Sequence, residues 1–438
     1  MSFLTRDEAK AVLSKVVKMS KAEGCSVSLS GSRDGNIRYA RNSVTTAGTV
    51  TDVSLAVSSN YGKRQGTATI NELDDASLRR VVRRSEELAK LAPENPEFMP
   101  VLGPQKYLTS NAWFDATAGI EPEFRAAAAA ASIGPSKQKK LVAAGYLEDS
   151  AGFSALMTSK GLSAYHRSTS VDFSVTVRTE DGTGSGYVTR DYNDVADLDT
   201  AAASAVAIDK AVLSREPKAV EPGKYTVILE PAASVGLLRS MMFNLAARRA
   251  DEGRSFLSKG KGETKLGEKL VDERVTIYSD PTHPEVPVSP WAGDGRPRKK
   301  ITWIDKGVIK NMFYSRYWAK KKGVEAVTGP RNGIMLGGDE SLDALVKGTR
   351  RGILVTRTWY IRTVDPRTLL YTGLTRDGTF FIEDGKVAFP VKNMRFNESP
   401  VIMLNNLEAL GKPVRVGNSL IPPMRVRDFT FTSLSDAV

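Results

Sequence analysis

A proline-bracketed break at residues 215–223, holding Pro217 and Pro222, constrains the fold more than any other feature of the sequence. Proline fixes φ and removes a backbone donor, so neither a helix nor a central strand runs through such a stretch. The chain has 438 residues, and a single hydrophobic core stops growing at roughly 250–300 residues. The break therefore divides the chain into two expected domains, residues 1–216 and 217–438.

The first part mixes helices and strands. Thr5-Arg6-Asp7-Glu8 has the form of a capping box, a hydroxyl at the cap and a carboxylate three residues on. Ala9, Val12, Leu13, Val16 and Val17 follow at helical spacing. Lys10, Lys15 and Lys18 interrupt any apolar leader. Strands are expected at 26–30 and 36–39, joined as a hairpin by Asp34-Gly35. Residues 76–91 predict a helix with Leu78, Val81, Val82 and Leu88 on one face. Residues 91–104 are proline-rich and read as a linker, and the alanine-rich 121–132 as a helix. Val171, Phe173, Val175 and Val177 alternate with Asp172, Ser174 and Thr176, which predicts a strand. The glycines of 182–186 would cradle phosphate only if a helix began there. Residues 187–190 read as a strand instead, so a hairpin turn is expected. No convincing short internal repeat is visible.

Beyond the break, 225–229 predicts a strand, 232–249 a helix, and the remainder a β-rich fold. Residues 380–382 and 387–389 pair around Asp384-Gly385, and 424–431 reads as a closing strand. The expected class is α+β, with an N-terminal α/β domain and a C-terminal β-rich sandwich or barrel-like domain carrying a few helices.

No apolar run approaches the roughly 20 residues of a membrane span. A single cysteine, Cys25, cannot form an internal disulfide, so the cytoplasm is the expected compartment. Cys25 itself reads as a small buried residue at a helix-to-strand junction. Net charge is +12, with basic clusters at 137–140, 296–300, 320–322 and 347–351. No groove-reading motif accompanies them, so a solvated basic surface is expected, and any nucleic-acid binding is expected to be unspecific. The only histidines, His166 and His283, have no ligand spacing around them.

Several segments, in order along the chain, resemble one family. They are Lys140-Leu141-Val142-Ala143-Ala144-Gly145-Tyr146-Leu147-Glu148, Asp294-Gly295-Arg296-Pro297, Thr328-Gly329-Pro330-Arg331-Asn332 and Thr372-Gly373-Leu374-Thr375-Arg376-Asp377-Gly378. Glu383-Asp384-Gly385-Lys386 and the Arg41-Asn42-Ser43 turn fit as well. The chain is thereby similar to the TldD/PmbA metallopeptidases, once called modulators of DNA gyrase, and within them to the PmbA/TldE type. The resemblance implies proteolysis of unfolded or leader peptides in a chamber between subunits. It implies a heterodimer with a TldD-like catalytic subunit, or a homodimer. Active relatives carry His-Glu-x-x-x-His on a helix and a distant cysteine, which would hold zinc and an activated water. Here the matching positions fall at Leu238, Arg239 and Phe243, and residues 417–423 hold no cysteine. The resemblance thus implies no catalytic residue and no bound metal in this chain, with zinc in the partner. Arg254 and Arg376, in segments resembling those near the family's chamber, are candidates for lining a substrate path. The rival expectations are a stand-alone hydrolase with another active site, and a basic protein bound to DNA or a topoisomerase.

Overall fold

The computed structural model describes residues 4–435. Its N-terminal part is a six-stranded antiparallel sheet with strand order β3-β2-β1-β4-β5-β6. The strands are β1 (Gly24–Ala40), β2 (Ser43–Tyr61), β3 (Arg64–Ile70), β4 (Leu141–Thr158), β5 (Ser163–Thr179) and β6 (Ser185–Tyr192). Helices α1 (Arg6–Met19), α2 (Asp75–Leu91), α3 (Pro122–Gln138) and α4 (Thr200–Leu213) accompany them. The capping box at Thr5 and Glu8 is formed.

The order α-β-β-β-α occurs twice, and β1 and β4 join the two units side by side at the sheet centre. Two glycines at matching places let the helices lie close. A Cβ on Gly66 of β3 would stand 2.2 Å from the Ala89 nitrogen of α2, and one on Gly186 of β6 2.1 Å from the Ala207 oxygen of α4.

Two expectations need correction here. β1 runs unbroken through Asp34-Gly35, because β2 pairs it on one side and β4 on the other along that stretch. The chain reverses instead at Arg41 and Asn42, which take the left-handed conformation (φ 49° and 59°) that a tight hairpin demands. The alanine-rich helix continues to Gln138 through Pro135. The 182–186 turn is a hairpin between β5 and β6, as expected.

Strand alternation gives the sheet two unlike faces. Val27, Leu29, Leu55, Leu147, Val171, Phe173 and Val175 face the four helices and form two adjoining apolar cores. Cys25 is buried there. The opposite face carries Ser30, Ser32, Asp34, Ser150, Ser154, Ser168, Ser170 and Asp172.

The C-terminal part is built on a closed ring of five strands. They are β7 (Lys224–Leu229), β8 (Arg351–Asp365), β9 (Leu370–Glu383), β10 (Met394–Glu398) and β11 (Met424–Leu434). Pairing runs β7–β8, β8–β9, β9–β10, β10–β11 and back from β11 to β7. A second sheet, with Ile301–Asp305, Ile277–Ser279, Gly333–Met335 and Ser419–Ile421 in successive positions, packs beside it. Helix α5 (Pro231–Phe243) lies within the shared core, burying Leu237, Leu238 and Met241 among Val227, Trp303, Phe396 and Phe429. The fold is α+β, as its alternating and β-rich halves predict. No helix among the described residues is long and apolar enough to cross a membrane.

Polar contacts tie the two parts together. Lys210 of α4 donates to both carboxylate oxygens of Glu230, at 2.6 and 2.7 Å. Ser185 of β6 donates to the buried Asp377 at 2.5 Å. A small apolar cluster of Leu156, Leu162, Ala164 and Trp291 spans them as well.

Candidate functional site

Strand β7 leads through Glu230 into α5, with Pro231 in the first turn where its missing N–H costs nothing. The helix is shorter than the expected 232–249. It stops at Phe243, and a separate helix α6 (Ala247–Asp251) follows. The cause is local. Asn244 and Leu245 bond back to the Met241 and Met242 carbonyls, and the Asn244 side chain takes the Ser240 carbonyl at 2.8 Å. Phe313 then pairs with the backbone on both sides of Ala246 and draws the chain out of the helix.

The exposed end of α5 forms one wall of a cavity of about 470 Å³ between the N-terminal sheet and the C-terminal part. Leu238, Arg239 and Phe243 all line it. Leu238 is 2% exposed and Phe243 69% exposed. Met242, Ile277, Met335 and Ile421 complete an apolar floor. Ser170, Asp172 and Asn193 come from the N-terminal part, and Arg331, Arg415 and Asn418 from the C-terminal part.

The polar rim is a linked network. Asp172 and Asp191 face each other on β5 and β6. Burial, then the hydrogen bond and charge of Asp191, push the Asp172 carboxyl up to about 7. Asp191 accepts from the Gly417 amide at 2.9 Å. Arg239 donates to the Val416 carbonyl at 2.9 Å, beside Gly417, where any Cβ would collide with the guanidinium. Arg415 donates to the Asn193 side-chain oxygen at 2.8 Å and to the Glu285 carbonyl. Burial pulls the Arg415 and Arg239 guanidinium groups down, while nearby Asp191 opposes it at both. The turn at 415–419, the end of α5 and strand β6 are thus joined by charge-assisted bonds.

Zinc takes cysteine, histidine or carboxylate donors. Leu238 and Phe243 offer none, and Arg239 brings a cation already engaged by a carbonyl. Asp172, the carboxyl that lines the cavity, is held toward its protonated form by burial and by Asp191. Among the described residues no group of three histidine, cysteine, aspartate or glutamate side chains is placed to hold a metal. These residues do not fit a zinc ion.

The remaining expected residues lie elsewhere. Arg254 is exposed and pairs with Glu252. Arg376 lies 4.3 Å from the Trp359 ring and 3.8 Å from Asp377. Neither lines the cavity. His166 is buried edge-on to Trp291, and burial lowers its imidazole to about 4. His283 accepts the Glu285 amide at 3.3 Å. Asp172, Arg331 and Arg415 were not expected, because the cavity gathers them from positions up to 243 residues apart along the chain (172 to 415), and Asp191 joins them only by pairing opposite Asp172. The strict alternation around Asp172 was the one available signal, and it identified a polar face without saying what the face opposes.

Residues 25–89 match domain 1 of the PmbA/TldA metallopeptidases, residues 122–215 the central domain and residues 222–433 the C-terminal domain. A metalloprotease of Methanothermobacter thermautotrophicus is 26% identical over 229 residues, 48% of this chain and 47% of that protein. One from Archaeoglobus fulgidus is 39% identical over 70 residues, 16% of each. The match therefore spans about half the length of the first curated relative and less of the second. Three solved structures share the fold along nearly the whole chain. TldE from Thermococcus kodakarensis superposes with a TM-score of 0.87 at 18% identity, covering 97% of this chain and 99% of that one. A proposed DNA gyrase modulator from Thermotoga maritima gives 0.85 at 18% identity, covering 98% and 100%. Its counterpart from Bacteroides thetaiotaomicron gives 0.85 at 22% identity, covering 98% and 99%. At these identities the likeness is one of fold.

Proposed function

The chain belongs to the PmbA/TldA metallopeptidase family, and on that premise we propose that it is a TldE-like, non-catalytic subunit that holds peptide for a zinc-bearing TldD-like partner. The observation that carries this reading is the lining of the cavity at the end of α5. Leu238, Arg239 and Phe243 stand together there, and none can ligate or activate a metal-bound water. The site nonetheless keeps an ordered polar rim and an open cavity rather than a collapsed core. A chain retained only for packing would have no use for either.

Extended peptides are held largely through backbone hydrogen bonds, which are indifferent to most side chains. A wall of serine, asparagine and arginine side chains beside the polar face of the sheet suits that task. Catalysis then resides in the partner, and the chain's contribution is substrate holding and assembly. We further assign the boundary between the two domains to residues 216/217, and the protein to the cytoplasm.

The test is to mix the protein with a TldD-type chain from the same source, measure association by sedimentation, and follow cleavage of an unfolded peptide. Association together with faster cleavage by the mixture is expected. No association, with full activity of the TldD-type chain alone, would overturn the proposal.

A further inference from the structure

The cavity has two chemically distinct halves, and the division says which peptides it takes. Its floor is apolar, made by Leu238, Met242, Ile277, Met335 and Ile421, with Phe243 standing exposed over it. Its outer wall continues into a second cavity of about 370 Å³ along the serine face of the sheet. The two share Ser170, Asn193, Arg331 and Asn418. Arg331 therefore stands at the junction. It is exposed and forms no ion pair among the described residues. Its charge also depresses the neighbouring Arg298 guanidinium, after burial. The junction is thus electropositive.

We propose that this site selects an extended peptide segment in which a bulky apolar residue is flanked by an acidic one. The inference rests on the peptide-holding role proposed above and adds its specificity. The apolar side chain enters the floor against Leu238 and Met242 and is covered by Phe243. The neighbouring carboxylate meets Arg331, and the backbone continues past Ser170 and Asn193 onto the serine face. A volume of about 470 Å³ is within the range of small-molecule sites, roughly 300–1,000 Å³, and accommodates an aromatic or long aliphatic side chain. The residues that would carry metal chemistry in a catalytic relative serve here as the walls of a specificity pocket.

The experiment uses the full-length protein and three fluorescein-labelled, Gly/Ser-rich peptides read by anisotropy. One carries Phe-Glu, one Phe-Lys and one Ala-Glu. The Phe-Glu peptide is expected to bind about tenfold more tightly than either of the others, each change removing an interaction of about 1.4 kcal/mol. Phe243 and Arg331 are exposed, so their replacement leaves the fold intact, as circular dichroism will verify. Arg331→Glu should reverse the preference between Glu and Lys, and Phe243→Ala should narrow the gap between Phe-Glu and Ala-Glu. If the three peptides bind equally well, or if the variants leave the ranking unchanged, the specificity is overturned while peptide holding stands. If none binds, the peptide-holding role falls and the specificity with it.

Discussion

Asp172 shows how one residue's surroundings become a measurable property of the protein. Its carboxyl is pushed up to about 7 by burial and by Asp191, against an unfolded value near 3.9. Between those values the folded protein holds a proton that the unfolded chain has released. Stability from this group is therefore complete at the acid end and is lost as pH rises toward 7. His166 acts in the opposite sense. Its folded value near 4 gives stability above about 6.5 that is lost as pH falls. Asp172→Asn removes only the first effect, so the variant's denaturation midpoint relative to wild type should be higher at pH 8 than at pH 5. An equal difference at both would show that the Asp172 carboxyl is not raised in the folded protein. Elsewhere, Arg125 and Asp149 form an almost fully buried ion pair. Arg125→Met leaves a buried carboxylate alone and should cost about 3–5 kcal/mol in urea unfolding, much of it recovered on adding Asp149→Leu. Leu238, Arg239 and Phe243 were named through the family resemblance rather than from spacing, and the structure brings all three to one cavity. The sequence could not reveal Asp172 facing Asp191, since that depends on the register of two strands.

At the level of elements, local signals told most where the chain's own neighbours decide the outcome. The capping box at Thr5, the alternation in β5, the hairpin at 182–186 and the turn at Asp384-Gly385 all have this character. They told less where partners distant in sequence intervene. Asp34-Gly35 is a strong turn signal, yet β2 and β4 hold it extended on both sides. Helix α5 has apolar periodicity beyond Phe243, yet Phe313 takes the backbone away. The doubled α-β-β-β-α arrangement left no visible short repeat, because the constraint repeated is closeness of a helix to an edge strand rather than a motif. Gly66 and Gly186 are its trace. Replacing either with valine should force α2 or α4 outward and cost about 1–3 kcal/mol of stability, as overpacking does. The cost should be seen for both glycines in thermal and chemical unfolding. A neutral substitution would mean that the helix yields freely.

For the whole molecule, the α+β class followed from the mixed composition of elements before residue 216 and the β-rich pattern after it. Closure of five strands into a ring did not follow, because pairing of β11 with β7 joins residues about 200 positions apart (Met424 with Leu229). The site shares that origin: it exists only where the N-terminal sheet meets the C-terminal part. The central proposal is that the cavity wall at the end of α5 holds peptide and carries no metal chemistry. The most direct test is elemental analysis of the purified protein after dialysis against a weak chelator, with zinc supplied during expression. The account predicts far less than one equivalent of zinc and no change in melting temperature on chelation. A tightly held zinc at about one per chain, with a fall in melting temperature when it is removed, would contradict it.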